Sequence, residues 1–351
     1  MTTMKAASYE RYGAPAVVRL VDVPRPVPKP NELLIRVSAT TVNSGDARMR
    51  RADFGSPILT IFGRLFLGIF RPRTRVLGTA FAGVVESIGD EVDRFKVGDR
   101  VFGSAGMGMG AHSEYIALKQ DATVIATPEQ LNDEHASAIP FGGFTALYFL
   151  RDLTQIEPGQ RVLVVGASGC VGISGVQYAK SVGAHVTGVC SGKNAELVRS
   201  LGADEVIDYT NADFTKQAQR YDVIFDTVGG VSFGACKGVL NDGGKYLATE
   251  MSTAIICQLL TTRTFGWFLG KKRVFGGVAM DKPEYLRVLK GLTESGAMAA
   301  VVDRVYGFDE IQAAHARVDT GRKAGSVVVR ICHKNSITPT VFFGANSIIE
   351  T

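Results

Sequence analysis

Residues 162–172, VLVVGASGCVG, join an apolar run to three glycines at a spacing of three, Gly166, Gly169 and Gly172. Such a run reads as a buried parallel strand. Glycines at its end permit a tight turn and let backbone approach a pyrophosphate at the N-terminus of the next helix. A plain strand-to-helix corner uses the same residues, so the chain that follows decides between the two. ISGVQYAKSVG predicts a helix stopping at Gly183, and AHVTGVC predicts a second apolar strand. The βαβ unit closes within about 30 residues, as a dinucleotide-binding unit requires.

Its second strand ends Cys190-Ser191-Gly192-Lys193-Asn194. Units selective for NAD place a carboxylate there to take the ribose hydroxyls. None stands at this end, whereas a hydroxyl, an ammonium and an amide suit a 2′-phosphate, so the residues predict NADP(H). Lys193 is equally a normal first-turn helix residue. Farther on, AELVRSLGA predicts a helix, and DEVIDY, YDVIFDTVGG, GGKYLA and KKRVFGGVAM predict strands. Strands alternating with helices imply a doubly wound parallel sheet with its ligand at the carboxyl ends, so the loops after Val189, Ile207, Phe225, Leu247 and Phe275 should face the cofactor. Gly229, Gly230, Gly276 and Gly277 serve there either to bring backbone against the nicotinamide or only as turn residues.

A chain of 351 residues exceeds one typical core, so two domains are expected. Hydrophobic residues make up 46% and glycines number 40, which suits an α/β enzyme and not a disordered chain. A net charge of +5 without a long basic run gives no case for nucleic acid. The five cysteines show no C-x-x-C spacing, and the N-terminus MTTMKAASYERYG lacks an apolar signal core. Both point to reduced thiols in a cytoplasmic protein. Two segments, Ile58–Phe70 and Met251–Gly270, are unusually apolar, but the first is too short to span a bilayer and the second is interrupted by Arg263 and polar residues. Arginines from Arg48 to Arg75 surround the first. The preferred reading is a pocket-covering helix with a solvated basic rim, and the other is a peripheral membrane contact.

Before residue 132 the pattern changes to short β-runs punctuated by Pro and Gly: KAASYE, VVRLVDV, ELLIRVSATTVN, GTAFAGVVESIG, DRVFG and SEYIALK. This spacing predicts a compact antiparallel barrel. A helical stretch starts at DEHASAIPFGGFTALYFLRD. The C-terminal VDRVYGFDEIQAAHARVDTGRKAGSVVVRI holds a helix and a strand that need a sheet to join, and they are assigned back to the barrel.

Together, GTAFAGVVESIGDEVDRFKVGDRVFG, FGGFTALYFL, EPGQRVLVVGASGCVG, SLGADEVIDY, FDTVGG and GRKAGSVVV resemble the medium-chain dehydrogenase/reductase superfamily, specifically its zinc-independent quinone oxidoreductase branch. The match runs in order from Lys5 to Ile331. The resemblance implies a GroES-like β-barrel domain from residues 1–131 and 300–331, a Rossmann NADP-binding domain from 132–299, a cleft-bound NADPH and a homodimer. Residues 332–351 have no counterpart and read as a C-terminal tail. Zinc members of the superfamily hold their metal with Cys and His. The matching positions here are Asn43, Thr79 and Gly142, none a credible ligand, and the four-cysteine lobe is replaced by GSAGMGMGAHSEY. No metal is expected. The five histidines lack ligand spacing and read as surface or packing residues.

A site without a Lewis acid suits hydride transfer to an acceptor that is already electrophilic, a quinone or an α,β-unsaturated carbonyl, in a hydrophobic pocket that supplies orientation and hydrogen bonds. By the resemblance, Asn43 is the polar anchor near the nicotinamide and Thr145 meets its ribose. Asp46 reads as the cap of the helix ARMRR, and Thr145 could simply bond its own helix. Gly166, Ser168, Gly169, Cys170, Val171 and Gly172 are expected along the pyrophosphate, Ser191, Lys193 and Asn194 near the 2′-phosphate, and Tyr209 near the adenosine. Arg322 and Lys323 lie in the GRKAG turn, where the family commonly supplies a basic group toward the cofactor, although Ser326 stands where a lysine is usual. Cys170 is either a reactive helix-terminal thiol or, preferably, a buried inert one. Two other functions stay open: an enoyl thioester or alkenal reductase on the same scaffold, and a non-catalytic NADPH-binding protein.

Overall fold

The computed structural model describes residues 2–265 and 271–333. The expected tail from Cys332 onward therefore lies almost wholly outside the described residues, as does the end of the apolar segment 251–270.

The N-terminal part supplies β1 (Thr3–Ser8), β2 (Arg19–Pro24), β3 (Glu32–Val42), β4 (Ala80–Ile88), β5 (Arg100–Ser104), β6 (Tyr115–Lys119) and β7 (Val124–Ala126), with helices α1 (Ser44–Arg51) and α2 (Pro57–Leu67) between β3 and β4. Along β3, Leu33, Leu34, Ile35 and Val37 are buried while Arg36 and Ser38 are only partly so, so the alternation shows from Ile35 to Ser38 and both faces are covered beyond it. After β7 comes α3 (Asp133–Ala146), capped by the Asn132 side chain, which accepts the His135 N–H at 2.8 Å. It runs on as a π-helical stretch, Leu147–Leu153.

The alternating half then follows: β8 (Arg161–Val165), α4 (Cys170–Ser181), β9 (His185–Cys190), α5 (Ala195–Ser200), β10 (Glu205–Asp208), β11 (Tyr221–Asp226), α6 (Phe233–Cys236), β12 (Leu240–Ala248), α7 (Thr253–Phe265), β13 (Arg273–Gly276) and α8 (Pro283–Glu294). These strands form one parallel sheet in the order β10-β9-β8-β11-β12-β13. Such a sheet must bury both faces. Val162, Val164, Val186 and Phe225 pack on one side, and Leu163, Val165, Ile224 and Tyr246 on the other.

The chain ends with β14 (Val302–Gly307), α9 (Ile311–Asp319) and β15 (Ser326–Arg330), which join the N-terminal strands in a sheet ordered β14-β15-β3-β4-β5-β7, with β6 also on β3. Two expectations are corrected here. The C-terminal stretch holds two strands, not one, and the barrel is not wholly antiparallel. β14 and β15 run parallel because α9 carries the chain back across the sheet before the second strand begins. Among the described residues β1 and β2 pair only with each other as a strand pair, and the bridges Ala6–Ser113 and Ser8–Val76 tie them to the rest.

Candidate cofactor cleft and active site

Because all six strands of the parallel sheet point the same way, their carboxyl ends share one edge. Gly166, Ser191, Tyr209, Gly229 and Gly277 each follow the end of a different strand on that edge. Each glycine of the turn after β8 meets its own demand. Gly166 has φ +76°, and a Cβ there would strike Val228 at 2.3 Å. A Cβ on Gly172 would stand 2.1 Å from the Gly166 carbonyl oxygen, so glycine is what lets α4 pack on the strand. Gly169 is the N-cap of α4 with ordinary extended backbone, and a Cβ there meets only the Gly166 oxygen at 3.4 Å. Its outer side is open beside the first amides of α4, those of Cys170, Val171 and Gly172, which have no partner within the helix. Open space over free helix N-terminal amides is the cradle a pyrophosphate needs, so these residues fit a dinucleotide.

Several expected residues converge on this turn. Asn194 Nδ2 donates to Ser168 Oγ at 2.9 Å. The Gly325 N–H donates to the Ser168 carbonyl at 2.9 Å, which seats the GRKAG turn on the glycine turn. Lys323 Nζ points inward, donating to Gly325 O at 3.1 Å and to Cys170 Sγ at 3.2 Å. Cys170 is buried and Arg322 exposed. Ser326, at the unusual position, is buried and donates to the Ala138 carbonyl at 3.1 Å.

At the far end, Lys193 and Tyr209 are both exposed. A carboxylate that spacing could not reveal stands beside them. A Cβ on Gly192 would lie 2.6 Å from Asp208 Oδ2. Asp208 Oδ1 accepts from Thr210 N and Oγ1 at 3.0 and 2.8 Å, and its Oδ2 accepts from Asn211 Nδ2 at 2.8 Å. These bonds hold its carboxyl below the usual range. Burial, reinforced by the charge of Asp208, pushes the neighbouring Cys190 thiol up to about 11. The second strand thus carries no acid, but the third brings one alongside.

Helix α3 connects the two halves of the site. At Gly45 in α1 a Cβ would lie 3.3 Å from the Phe141 ring, at Gly142 one would lie 2.3 Å from the Cys170 carbonyl, and at Gly143 one would lie 2.5 Å from Leu289 of α8. Consecutive residues of α3 therefore touch α1, α4 and α8. One turn on, Thr145 donates its hydroxyl to the Phe141 carbonyl at 2.9 Å, bonding its own helix. The Tyr148 hydroxyl reaches Gly277, where a Cβ would lie 2.5 Å from it.

Asn43 is buried and is itself the N-cap of α1. Its Oδ1 accepts the Asp46 N–H at 3.1 Å, and Asp46 Oδ2 accepts the Asn43 N–H at 2.9 Å. This reciprocal box corrects the reading of Asp46 as the cap. Asn43 Nδ2 donates to Thr79 Oγ1 at 3.3 Å, so two of the positions that the resemblance sets against zinc ligands bond each other. Burial raises the Asp46 carboxyl despite the charge of His112 and the Asn43 and Gly78 amides. Among the described residues there is no group of three or more His, Cys, Asp or Glu placed to share a metal ion.

Sequence reasoning did not find the contacts that cross the cleft. Arg48 of α1 pairs with Glu250 beyond β12, and Ser104 of β5 donates to Asp281 beyond β13. Ser56 Oγ lies 3.1 Å from Thr253 Oγ1. Partners some 200 positions apart leave no periodic signal, as for Arg48 and Glu250. Asp226, at the end of β11, is fully buried. It accepts from the Val228 and Gly229 N–H groups at 3.0 and 2.9 Å and from Tyr246 Oη at 2.7 Å, which fixes the loop carrying Gly229.

Residues 29–129 match the alcohol dehydrogenase GroES-like domain, and residues 201–329 match the zinc-binding dehydrogenase family. The chloroplastic quinone oxidoreductase QR1 of Triphysaria versicolor is 31% identical over 337 residues, covering 93% of this chain and 98% of that protein. The human quinone oxidoreductase is 28% identical over 330 residues, covering 92% and 95%. The quinone oxidoreductase structure from Coxiella burnetii superimposes with a TM-score of 0.82 at 27% identity, covering 94% of this chain and all of that one. The chain belongs to the medium-chain dehydrogenase/reductase superfamily, in its quinone oxidoreductase-like branch. It is an oxidoreductase whose family uses a nicotinamide cofactor.

Proposed function

We propose that this protein is an NADPH-dependent, zinc-independent reductase of quinones or α,β-unsaturated carbonyls. The observation that carries the reading is the seam at Asn43, Thr79 and Gly142. Where zinc relatives place metal ligands, this chain has a helix-capping amide, the hydroxyl it bonds, and a glycine pressed on the Cys170 carbonyl. Bound NADPH supplies hydride. The chain's own residues orient and exclude: Asn43 and Thr79 offer polar atoms, Thr145 and Tyr148 line the α3 side, and Gly229 and Gly277 let their loops close against Glu250 and Tyr148. A conjugated acceptor delocalises the charge that develops on its oxygen, so hydrogen bonds and a dry pocket suffice.

In this reading residues 1–131 and 300–331 form the acceptor-side domain, 132–299 bind the cofactor, and the protein is a cytoplasmic homodimer. Ser191, Lys193 and Asn194 hold the 2′-phosphate despite the nearby Asp208, both of whose carboxylate oxygens are engaged by Thr210 and Asn211, with Tyr209 by the adenosine and Arg322 and Lys323 by the glycine turn. NADPH oxidation by chelator-treated protein, followed against quinones and enones with NADH and simple alcohols as controls, tests the activity. Turnover of conjugated acceptors with NADPH is expected, and activity only after zinc addition would overturn the reading. For the cofactor, Lys193→Ala should raise the KM for NADPH roughly tenfold and leave NADH unaffected. An unchanged NADPH preference removes Lys193 from the site.

A further inference from the structure

In α2, Ile58, Ile61, Phe62, Leu65 and Phe66 recur at the i, i+3, i+4 spacing of a single helical stripe. On a globular helix that stripe faces the core. Here it faces outward: Ile61, Phe62, Leu65 and Phe66 are each more than half exposed, and no residue of α2 is fully buried. The opposite side lies on the protein, with Gly63 directly over the Phe54 ring. The turn that follows is firmly built. Tyr12 Oη donates to the Gly68 carbonyl at 2.7 Å, and the Arg73 N–H donates to the Leu67 carbonyl at 2.8 Å. Gly68 has φ +118° in a space where a Cβ would meet the Arg71 carbonyl at 2.0 Å. This turn presents Phe70, 88% exposed, at its tip.

Charge identifies the occupant. From Phe54 to Arg75 the chain carries Arg64, Arg71, Arg73 and Arg75 and no acidic residue, and all four arginines are exposed. A two-fold contact between copies would set these like charges against one another. A lipid surface with anionic headgroups receives both the apolar stripe and its basic rim. We propose that α2 and the turn to Arg75 form a docking face for an anionic bilayer, with Phe62, Phe66 and Phe70 entering the acyl boundary and Arg64, Arg71 and Arg73 contacting headgroups. The face is independent of the reaction assigned above.

Full-length protein is tested by co-sedimentation with vesicles of phosphatidylcholine alone and of phosphatidylcholine doped with phosphatidylglycerol. Binding is expected to the anionic vesicles, to weaken as salt rises, and to fall roughly tenfold in Phe62→Ser/Phe66→Ser. Arg71→Glu should reduce the dependence on phosphatidylglycerol while leaving the fold intact. Failure of the wild-type protein to bind anionic vesicles overturns the proposal whatever the variants do, as does binding that ignores salt and lipid charge. Analytical ultracentrifugation without vesicles covers the remaining occupant. If the double serine variant sediments as a smaller assembly than the wild type, the stripe is a contact between copies and the membrane assignment falls.

Discussion

At the proposed pyrophosphate end of the cleft, Gly166, Gly169 and Gly172 lie within one short turn, and each does a separate backbone task. At the proposed nicotinamide end, Asn43, Thr145, Tyr148 and Gly277 come from three segments, the N-cap of α1, the long helix begun by α3 and the loop after β13, brought together by packing on α3 and by contacts such as Arg48 with Glu250. The first end is set by local steric limits, which any reader of the chain can apply. The second depends on packing between distant surfaces, where a residue's neighbours are unknown until the chain has folded. Polar residues there also carry structural duties. Asn43 caps a helix and Thr145 bonds its own backbone, so a role in chemistry has to coexist with a role in the fold.

This contrast can be broken experimentally. The largest effect is expected from Gly172→Ala, whose methyl would stand 2.1 Å from the Gly166 carbonyl. A loss of about 3 kcal/mol should follow, seen as a lower melting temperature of the free protein. A melting curve equal to wild type would mean the helix packs on the strand more loosely than the structure indicates.

Next comes the anchor of the helix that carries Thr145 and Tyr148. Asp152 is held at about 2, where hydrogen bonds from Tyr285, Arg151 and Lys282 outweigh the opposing effect of burial. A depressed carboxyl stabilises above its unfolded value of 3.8 and loses that contribution as pH falls toward about 2. Asp152→Asn should therefore cost about 2 kcal/mol at neutral pH and flatten this part of the acid limb in a pH series of melting temperatures. An acid limb identical to wild type would remove Asp152 from the account.

Gly169→Ala separates affinity from stability. Its backbone suits alanine and its Cβ has room in the free protein, so melting should not change, while NADPH affinity measured by fluorescence titration should fall roughly tenfold. A stability loss matching that of Gly172→Ala would erase the distinction between the second and third glycines. The smallest effect belongs to Arg48→Ala. Its partner Glu250 is 40% exposed, so solvent screening limits the stability change to about 0.5 kcal/mol. The change is expected instead in the KM of the acceptor, with kcat retained, and steady-state kinetics read that split directly.

The parallel sheet, its turn and the strand-end loops were legible because buried strands, helix stops and glycine turns obey short-range rules. The basic face around α2 was legible in composition only. Its apolar stripe would normally signal a core-facing helix, and the sequence could not say which way it turned. β14 is weakly marked in the sequence because Asp303 and Arg304 interrupt its alternation. Asp208 leaves no signal at the end of β9 because it comes from the end of the next strand, β10.

The sequence by itself determined the glycine turn after β8, the alternation that builds a parallel sheet, and the residue types offered at each strand end. These follow from bond geometry, periodicity and side-chain chemistry, all local properties. Tertiary structure alone decided that Asn43 bonds Thr79, that Lys323 folds onto Cys170, that Asp208 stands beside Gly192, and that α2 turns its apolar side to the outside. Those outcomes depend on which surfaces meet, and steric fit among residues far apart in the chain fixes that only once the whole core has formed.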